Sequence, residues 1–144
     1  MTTLSFERHV AHPPDKMFDL VADLEAYPRF LPNVTEMTVT PDSRGTSQLA
    51  RMSIRLGPLA QAYTSRVTPD RTARTIRAVA VDGPFSHLDS TWSFEPEGQG
   101  TCIRFSVDFD FSNKVLGAIA GPAFAGKQDE IVEAFLTEAD RRYG

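Results

Sequence analysis

Between residues 34 and 111 the chain falls into short segments in which apolar and polar residues alternate, and this feature constrains the fold more than any other. The last segment is the clearest, because every second position holds an apolar residue: Ile103, Phe105, Val107, Phe109 and Phe111. Such alternation is typical of a β-strand with one buried face. Turn sequences separate the segments, as in the runs PDSRG, DGP and EPEGQG. Successive hairpins predict an antiparallel sheet with one packed face and one solvent-facing face.

The same patterns predict the bounds of the elements. We expect strands at residues 4–10, 34–40, 48–56, 60–67, 74–81, 86–94 and 103–111. A helix opens at the sequence PPD and runs to about Glu25, with apolar residues at spacings of three and four. After Asn113, a residue type that caps helices, the pattern predicts one long helix to about Tyr143, kinked at Pro122.

The predicted fold class is α+β, in a single domain over residues 1–144, a length that suits one hydrophobic core. The terminal helix must cover the packed face of the sheet. Because one cylinder does not fill a concave sheet, we expect a gap between the two, and such gaps bind small molecules.

Composition excludes several classes of function. The lone cysteine, Cys102, permits no intramolecular disulfide and no cysteine zinc cluster, and the three histidines lack metal-ligand spacing. We therefore predict no metal and no cofactor. The net charge of −4 argues against general nucleic-acid binding, so no DNA partner is expected. No signal peptide or membrane-spanning run is visible, and we expect a cytoplasmic location, with peripheral contact at the inner membrane left open.

Arginines are concentrated between residues 43 and 77. Four of them are predicted to project from the outer face of three consecutive strands: Arg51, Arg55, Arg66 and Arg77. A solvated sheet face is one explanation. The alternative is an anion-facing surface that contacts phospholipid or ribosomal RNA.

The connector YPRFLPN at residues 27–33 holds more apolar surface than a polar loop needs. Tyr27, Phe30 and Leu31 either close the end of the core or form a lid over an apolar ligand. Both interpretations stay open from the sequence, since one segment can do both.

Several strings along the chain resemble the START-like, helix-grip superfamily. They are MFDLVADLEAYPRFLP at 17–32, TSRV at 64–67, DGPF at 82–85 followed by Leu88 and W-x-F at 92–94, FDFSNKVL at 109–116, and an apolar pattern between Phe124 and Gly144. Within the superfamily they resemble the group that holds the coenzyme-Q-binding proteins of respiration and the bacterial ribosome-association toxins. The resemblance implies a curved antiparallel sheet wrapped around a long C-terminal helix, with two short helices after the first strand.

The resemblance also implies a tunnel that holds a hydrophobic ligand, ubiquinone or a polyprenyl quinone intermediate, without chemistry. Candidates for its wall are the inward-facing apolar residues and the connector: Phe18, Phe30, Leu31, Phe85, Trp92, Phe105, Phe109, Phe124, Ile131 and Phe135. Arg8 and Ser90 share the inward positions of their strands and are candidate polar anchors for a quinone carbonyl. The family usually continues FLP with tryptophan or glycine, whereas this chain has Asn33.

Three functions follow from these observations. The first is a non-catalytic carrier or chaperone of a polyprenyl quinone that supports respiratory electron transport. The second is a ribosome-association factor or toxin that binds the large ribosomal subunit. The third is a polyketide cyclase-like enzyme, and we predict against catalysis because the inward positions hold almost only apolar side chains.

Overall fold

Seven antiparallel strands form one sheet in the computed structural model, which describes residues 2–43, 45–56 and 58–144 without the side chains of Leu56 and Phe124. The strands are β1 (Thr2–Val10), β2 (Val34–Pro41), β3 (Gln48–Leu56), β4 (Leu59–Asp70), β5 (Thr75–Asp82), β6 (Phe85–Glu97) and β7 (Gly100–Phe111). Their order across the sheet is β1-β7-β6-β5-β4-β3-β2, so β2 to β7 follow one another as hairpins. The two strands nearest the amino terminus therefore form its opposite edges.

The register of the strands places the large apolar residues on one face. Phe6 of β1 pairs with Phe105 of β7, Phe105 with Trp92 of β6, and Trp92 with Ile76 of β5. Because side chains alternate across a strand, the polar residues between them face outward. The predicted antiparallel sheet with one packed face is confirmed.

Two short helices and a 3-10 turn connect β1 to β2. Helix α1 (Pro14–Ala22) ends earlier than the predicted Glu25, and the turn Leu24–Ala26 and helix α2 (Tyr27–Phe30) follow it. The predicted short helical turns of the connector are thus confirmed. At the end of the connector Asn33 adopts a left-handed backbone with φ of 74°, which asparagine tolerates better than most residues.

The C-terminal segment differs from the prediction of one helix kinked at Pro122. Two helices are present, α3 (Lys114–Gly126) and α4 (Gln128–Tyr143), and Lys127 between them is the N-cap of α4. Pro122 is tolerated inside α3, whereas Gly126, a weak helix former, precedes the break. The predicted cap is confirmed, because Asn113 Oδ1 accepts hydrogen bonds from the backbone nitrogens of Val115 (2.8 Å) and Leu116 (3.1 Å).

Most of the core lies between the inner face of the sheet and helices α1 and α4. Met17 and Leu20 of α1 and Ala139 of α4 are fully buried there. A smaller apolar cluster surrounds Phe85 and Phe109 at the other end of the sheet. Among the described residues, no helix combines the length and the apolar character needed to cross a bilayer. The sheet, the closing helix α4 and the short helices together give the predicted helix-grip arrangement.

Candidate functional site

A cavity of about 200 Å³ lies between the inner face of the sheet and helix α4. Its wall is formed by the middle of the sheet, the end of α1, the connector and the first turns of α4. Large apolar side chains dominate it, among them Met52, Trp92, Phe105, Ile131 and Phe135. The expected gap between sheet and helix is therefore present.

Small residues at the centre of the inner face explain where the cavity lies. Ala50 of β3 pairs with Ser65 of β4, and Ala78 of β5 pairs with Ser90 of β6. All four line the cavity. Since none of them reaches as far as the phenylalanines on the neighbouring strands, the sheet and α4 cannot close on each other at this point.

Five of the predicted wall residues line the cavity: Leu31, Trp92, Phe105, Ile131 and Phe135. The other described candidates lie outside its described wall. Phe18 packs against Phe94, with ring centroids 5.8 Å apart, and Phe30 packs behind Phe135 at 5.4 Å. Phe85 and Phe109 belong to the second apolar cluster. The side chain of Phe124 lies outside the described residues.

The two predicted polar anchors have different surroundings. Ser90 lines the cavity, and its hydroxyl donates a long hydrogen bond of 3.4 Å to the carbonyl oxygen of Ala78. The Arg8 guanidinium instead donates to the carbonyl oxygen of Glu7 at 3.0 Å and lies 5.9 Å from the ring centroid of Phe6. Of the two, Ser90 is the one in contact with the cavity.

The connector acts as part of the core and as part of the cavity wall. The rings of Tyr27 and Phe30 meet Phe135 of α4 edge-on, at 5.5 and 5.4 Å. The Tyr27 hydroxyl donates to the carbonyl oxygen of Val21. Tyr27 and Leu31 are buried and line the cavity. The segment therefore closes the core and bounds the cavity at once.

Asn33 lines the cavity and carries a buried polar atom for which the sequence predicted no role. Its Nδ2 donates to the Arg55 carbonyl oxygen at 2.9 Å, while its Oδ1 is buried and has no hydrogen-bond partner among the described residues. Buried acceptors without a partner are rare in folded proteins. The available signal was the asparagine itself, at a position where the resemblance implies a different residue.

Tyr63 contributes a donor to the same wall. Its hydroxyl donates to the thioether sulfur of Met52 at 3.7 Å, and sulfur is a weak acceptor. Burial raises the pKa of Tyr63 to about 12, so the hydroxyl keeps its proton at neutral pH. The position of Tyr63 requires a glycine at residue 83, because a side chain there would overlap Tyr63 Cβ. The backbone φ at Gly83 is 114°, which also favours glycine.

Two of the four outer-face arginines have a carboxylate partner, and the other two have none among the described residues. Arg66 is 2.7 Å from the carboxylate of Asp42, and Arg77 makes a bidentate contact with Asp89 at 2.7 and 3.1 Å. Arg51 and Arg55 are exposed, and no described carboxylate lies within 4 Å of either. Of these four arginines, Arg51 and Arg55 therefore carry the charge that no described carboxylate neutralises.

The outer face also brings together Glu7, His9 and Cys102, whose potential ligand atoms lie within 4.8 Å of one another. Two of these groups already have partners: Glu7 accepts from Arg104 at 2.9 Å, and His9 contacts Glu97. Burial and the nearby Glu7 carboxylate raise the pKa of the Cys102 thiol. The cluster is thus an ion-paired surface patch around a protonated thiol.

A curved antiparallel sheet closed by a C-terminal helix around an apolar cavity defines the class of helix-grip proteins. A START superfamily protein from Mycobacterium smegmatis shares this fold, with a TM-score of 0.81 over 96% of this chain and 97% of that chain at 17% identity. The Zhui aromatase/cyclase of a Streptomyces species does so at a TM-score of 0.78, over 99% and 96%, and 17% identity. At these identities the likeness concerns the fold alone.

The chain belongs to the family described as polyketide cyclase / dehydrase and lipid transport, which matches residues 10–136. Among curated relatives, the ribosome association toxin RatA of Rickettsia prowazekii is 32% identical over 94% of this chain and 96% of its own length. The mitochondrial coenzyme Q-binding protein COQ10 homolog B of Xenopus laevis is 30% identical over 90% of this chain and 54% of its own length. The predicted family is confirmed.

Proposed function

We propose that this protein binds a polyprenyl quinone, ubiquinone or one of its polyprenyl intermediates, and carries it without catalysing a reaction, in support of respiratory electron transport. The observation that carries the proposal is the apolar cavity beneath α4. Burying apolar ligand surface there contributes about 25 cal/mol per Å². An apolar wall therefore retains a lipid with few hydrogen bonds.

The polar atoms of the wall suit the head group of such a ligand. The Tyr63 hydroxyl is a donor for a carbonyl oxygen, and Asn33 Oδ1 is an acceptor for a hydroxyl. Sites for drug-sized molecules enclose roughly 300–1,000 Å³, so a cavity of about 200 Å³ holds a substituted ring and the start of a tail. The remainder of a long tail then lies outside the cavity.

The chemistry of the wall supports a carrier over an enzyme. Among the described lining residues there is no carboxylate and no imidazole, and the titratable side chains are Tyr27, Tyr63 and Lys127. Tyr27 is committed to the carbonyl of Val21, and burial raises its pKa far above the ordinary value. General acid–base catalysis needs groups that exchange protons near neutral pH. The cyclase alternative is favoured by the family description and by the fold of the Zhui aromatase/cyclase, but by no acid–base group that exchanges protons near neutral pH in the described wall.

The test combines extraction with a matched pair of variants. The purified protein is extracted with organic solvent for mass spectrometry, and binding of a short-chain ubiquinone analogue is followed by fluorescence of Trp92, the sole tryptophan. Ser90→Leu fills the cavity, whereas Thr91→Leu places the same side chain on the outer face of β6. We expect Ser90→Leu to weaken binding at least tenfold and Thr91→Leu to leave it unchanged. Absence of both extracted lipid and analogue binding in the wild type overturns the proposal.

A second candidate, association with the large ribosomal subunit, has its own support. Relatives named ribosome association toxin align over nearly the whole chain, and Arg51 and Arg55 give the outer face two charges without a described partner. Co-sedimentation with ribosomal subunits at two salt concentrations tests it, since phosphate contacts weaken steeply with salt. Binding that is lost in the Arg51→Glu, Arg55→Glu double variant, in a protein that holds no lipid, favours this function over the first.

A further inference from the structure

Helix α3 turns an apolar face towards solvent. Val115 is 71% exposed and Ile119 is 57% exposed. At 100° per residue, the exposed positions of α3 after its first residue fall within one sector of the helix: Val115, Ala118, Ile119, Pro122 and Gly126. None of the residues from 115 to 126 carries a polar side chain. A helix on the surface of a soluble domain normally places charged and polar residues in this sector.

The exposed face lies next to residues that line the cavity. Helix α3 ends at Gly126, and the two residues that follow it, Lys127 and Gln128, line the cavity. Gln128 also donates from Nε2 to the carbonyl oxygen of Ser5 at 3.3 Å, which ties this end of the helix to β1. The apolar face therefore ends one residue before the part of the chain that lines the cavity.

The charges at the two ends of α3 suit an anionic surface. Lys114 and Lys127 flank the helix, and they are two of the three lysines in the chain. Between Asp110 and Asp129 the chain has no acidic residue. Lys127 is 40% exposed and only loosely paired with Glu130, at 3.5 Å. Lysines at the ends of an apolar helix reach the headgroup level of a membrane while the helix lies in the interface.

We propose that α3 is a docking element that lies flat on an anionic phospholipid bilayer, with Val115 and Ile119 inserted among the acyl chains and Lys114 and Lys127 at the phosphates. The helix has 13 residues, about 20 Å at 1.5 Å per residue, so it is too short to span a hydrocarbon core of about 30 Å. A bilayer suits it better than a second copy of the chain. A stable dimer buries on the order of 800 Å² per partner, and two large aliphatic side chains offer far less.

The inference deepens the proposed function by naming the surface from which a lipid is collected, but docking needs no bound ligand. We therefore test it by co-sedimentation with vesicles of phosphatidylcholine, with and without phosphatidylglycerol, in the absence of any quinone. The double variant Val115→Asp, Ile119→Asp places charges on the apolar face. Val81→Asp is its control, because Val81 is 45% exposed but belongs to β5. Intrinsic fluorescence and thermal unfolding confirm that each variant is folded.

The wild type and Val81→Asp are expected to sediment with the vesicles, more strongly when phosphatidylglycerol is present. The double variant is expected to bind at least about tenfold more weakly, because apolar burial drives interfacial binding. Lys114→Gln is expected to remove part of the gain from the anionic lipid. Failure of the wild type to sediment, or unchanged binding of the double variant, overturns the inference. So does loss of binding in Arg51→Glu, Arg55→Glu alone, which would move the docking surface to the outer face of the sheet.

Self-association is measured in parallel by analytical ultracentrifugation. A wild-type dimer that becomes monomeric in the double variant, with vesicle binding unaffected, shows that a second copy covers α3 and overturns the inference. Quinone binding in solution is measured separately, so a failure to dock and a failure to bind ligand are distinguishable.

Discussion

Asn33 holds the backbone of Arg55 at two points. The Arg55 backbone nitrogen donates to the Asn33 carbonyl oxygen at 2.8 Å, and Asn33 Nδ2 donates to the Arg55 carbonyl oxygen at 2.9 Å. Because a carbonyl oxygen only accepts, the amide cannot flip without setting two oxygens against each other. Asn33 Oδ1 is therefore fixed as a buried acceptor on a residue that lines the cavity.

This acceptor predicts a preference for ligands that carry a hydroxyl. A 4-alkylphenol is expected to bind about tenfold more tightly than the methyl ether of the same phenol, because only the phenol donates to Asn33 Oδ1. Asn33→Gly removes the acceptor and keeps the left-handed backbone, so the ratio of the two affinities is expected to fall to about one. Isothermal titration calorimetry measures both ligands. Equal affinities in the wild type, or a ratio that Asn33→Gly leaves unchanged, would contradict the role of Asn33.

We expect substitution by alanine to lower the free energy of unfolding more at Gly83 than at Gly98. Both have positive φ, 114° and 59°, but only a Cβ at position 83 would overlap Tyr63, while the space around position 98 is open. Gly98→Ala is expected to lower the free energy of unfolding by about 1 kcal/mol, the cost of the backbone conformation alone. Gly83→Ala is expected to cost at least about 2 kcal/mol more, because Tyr63 must shift. Urea denaturation measures both, and equal losses would refute the overlap.

The ion pairs of Glu138 are expected to make the free energy of unfolding depend on pH in the acid range. Its side chain is 8% exposed and accepts hydrogen bonds from Arg141 at 2.8 and 2.6 Å and from Arg142 at 2.8 Å. These bonds lower the pKa of Glu138 from 4.5 to about 2. A depressed carboxyl pKa contributes stability that is present above about pH 4.5 and is lost as pH falls towards 2.

Glu138→Gln is therefore expected to lower the free energy of unfolding at pH 7 by about 1–3 kcal/mol. The gap between variant and wild type should narrow as pH falls from about 5 to about 2. Glu133→Gln is the control, since Glu133 is an exposed carboxylate on the same helix. Urea denaturation at several pH values measures the difference. A gap that stays constant with pH would mean that the ion pairs contribute no net stability.

Phe30 and Leu31 separate the two roles of the connector. Leu31 lines the cavity, whereas Phe30 packs behind Phe135. Leu31→Ala is expected to lower the free energy of unfolding by about 2–4 kcal/mol and to change the affinity for alkylphenols. Phe30→Ala is expected to lower stability by about 1–3 kcal/mol with ligand affinity unchanged. Denaturation and calorimetry on the same variants test this. A ligand affinity that changes in Phe30→Ala and not in Leu31→Ala would assign the lid to Phe30.

The sheet was predictable from the sequence because alternation is a local property. Residues 103–111 show it plainly, and β3 begins and ends where the pattern places it. The break in the C-terminal segment was not predictable to the residue, since Pro122 is the stronger helix breaker in the sequence. Where a helix ends depends on its packing as well as on its sequence. Helix α3 continues past Pro122 and ends at Gly126, and α4 begins at Gln128.

The site was predictable only in part, for a physical reason. Alternation identifies the face of the sheet on which a residue lies, but not its position along the sheet. Phe85 and Phe109 share the inner face with Trp92, yet they pack in the second cluster. The position of the cavity depends on small residues such as Ala78 and Ser90. The sequence indicated Ser90 as a polar anchor, but nothing in it marked Ala78 as part of the wall. Asn33 Oδ1, which has no partner among the described residues, is held in place by a contact with β3 that sequence spacing does not reveal.

The pairing of the first strand with the last has a consequence for how the chain is made. Thr2 is opposite Phe109 in the register, so β1 cannot find its partner until translation has produced the end of β7. At about 5–20 residues per second, the nascent β1 waits roughly 5–20 s with both of its edges bare. Strand β1 therefore joins the sheet only after β7 has been made, and until then its unpaired backbone groups are open to mispairing.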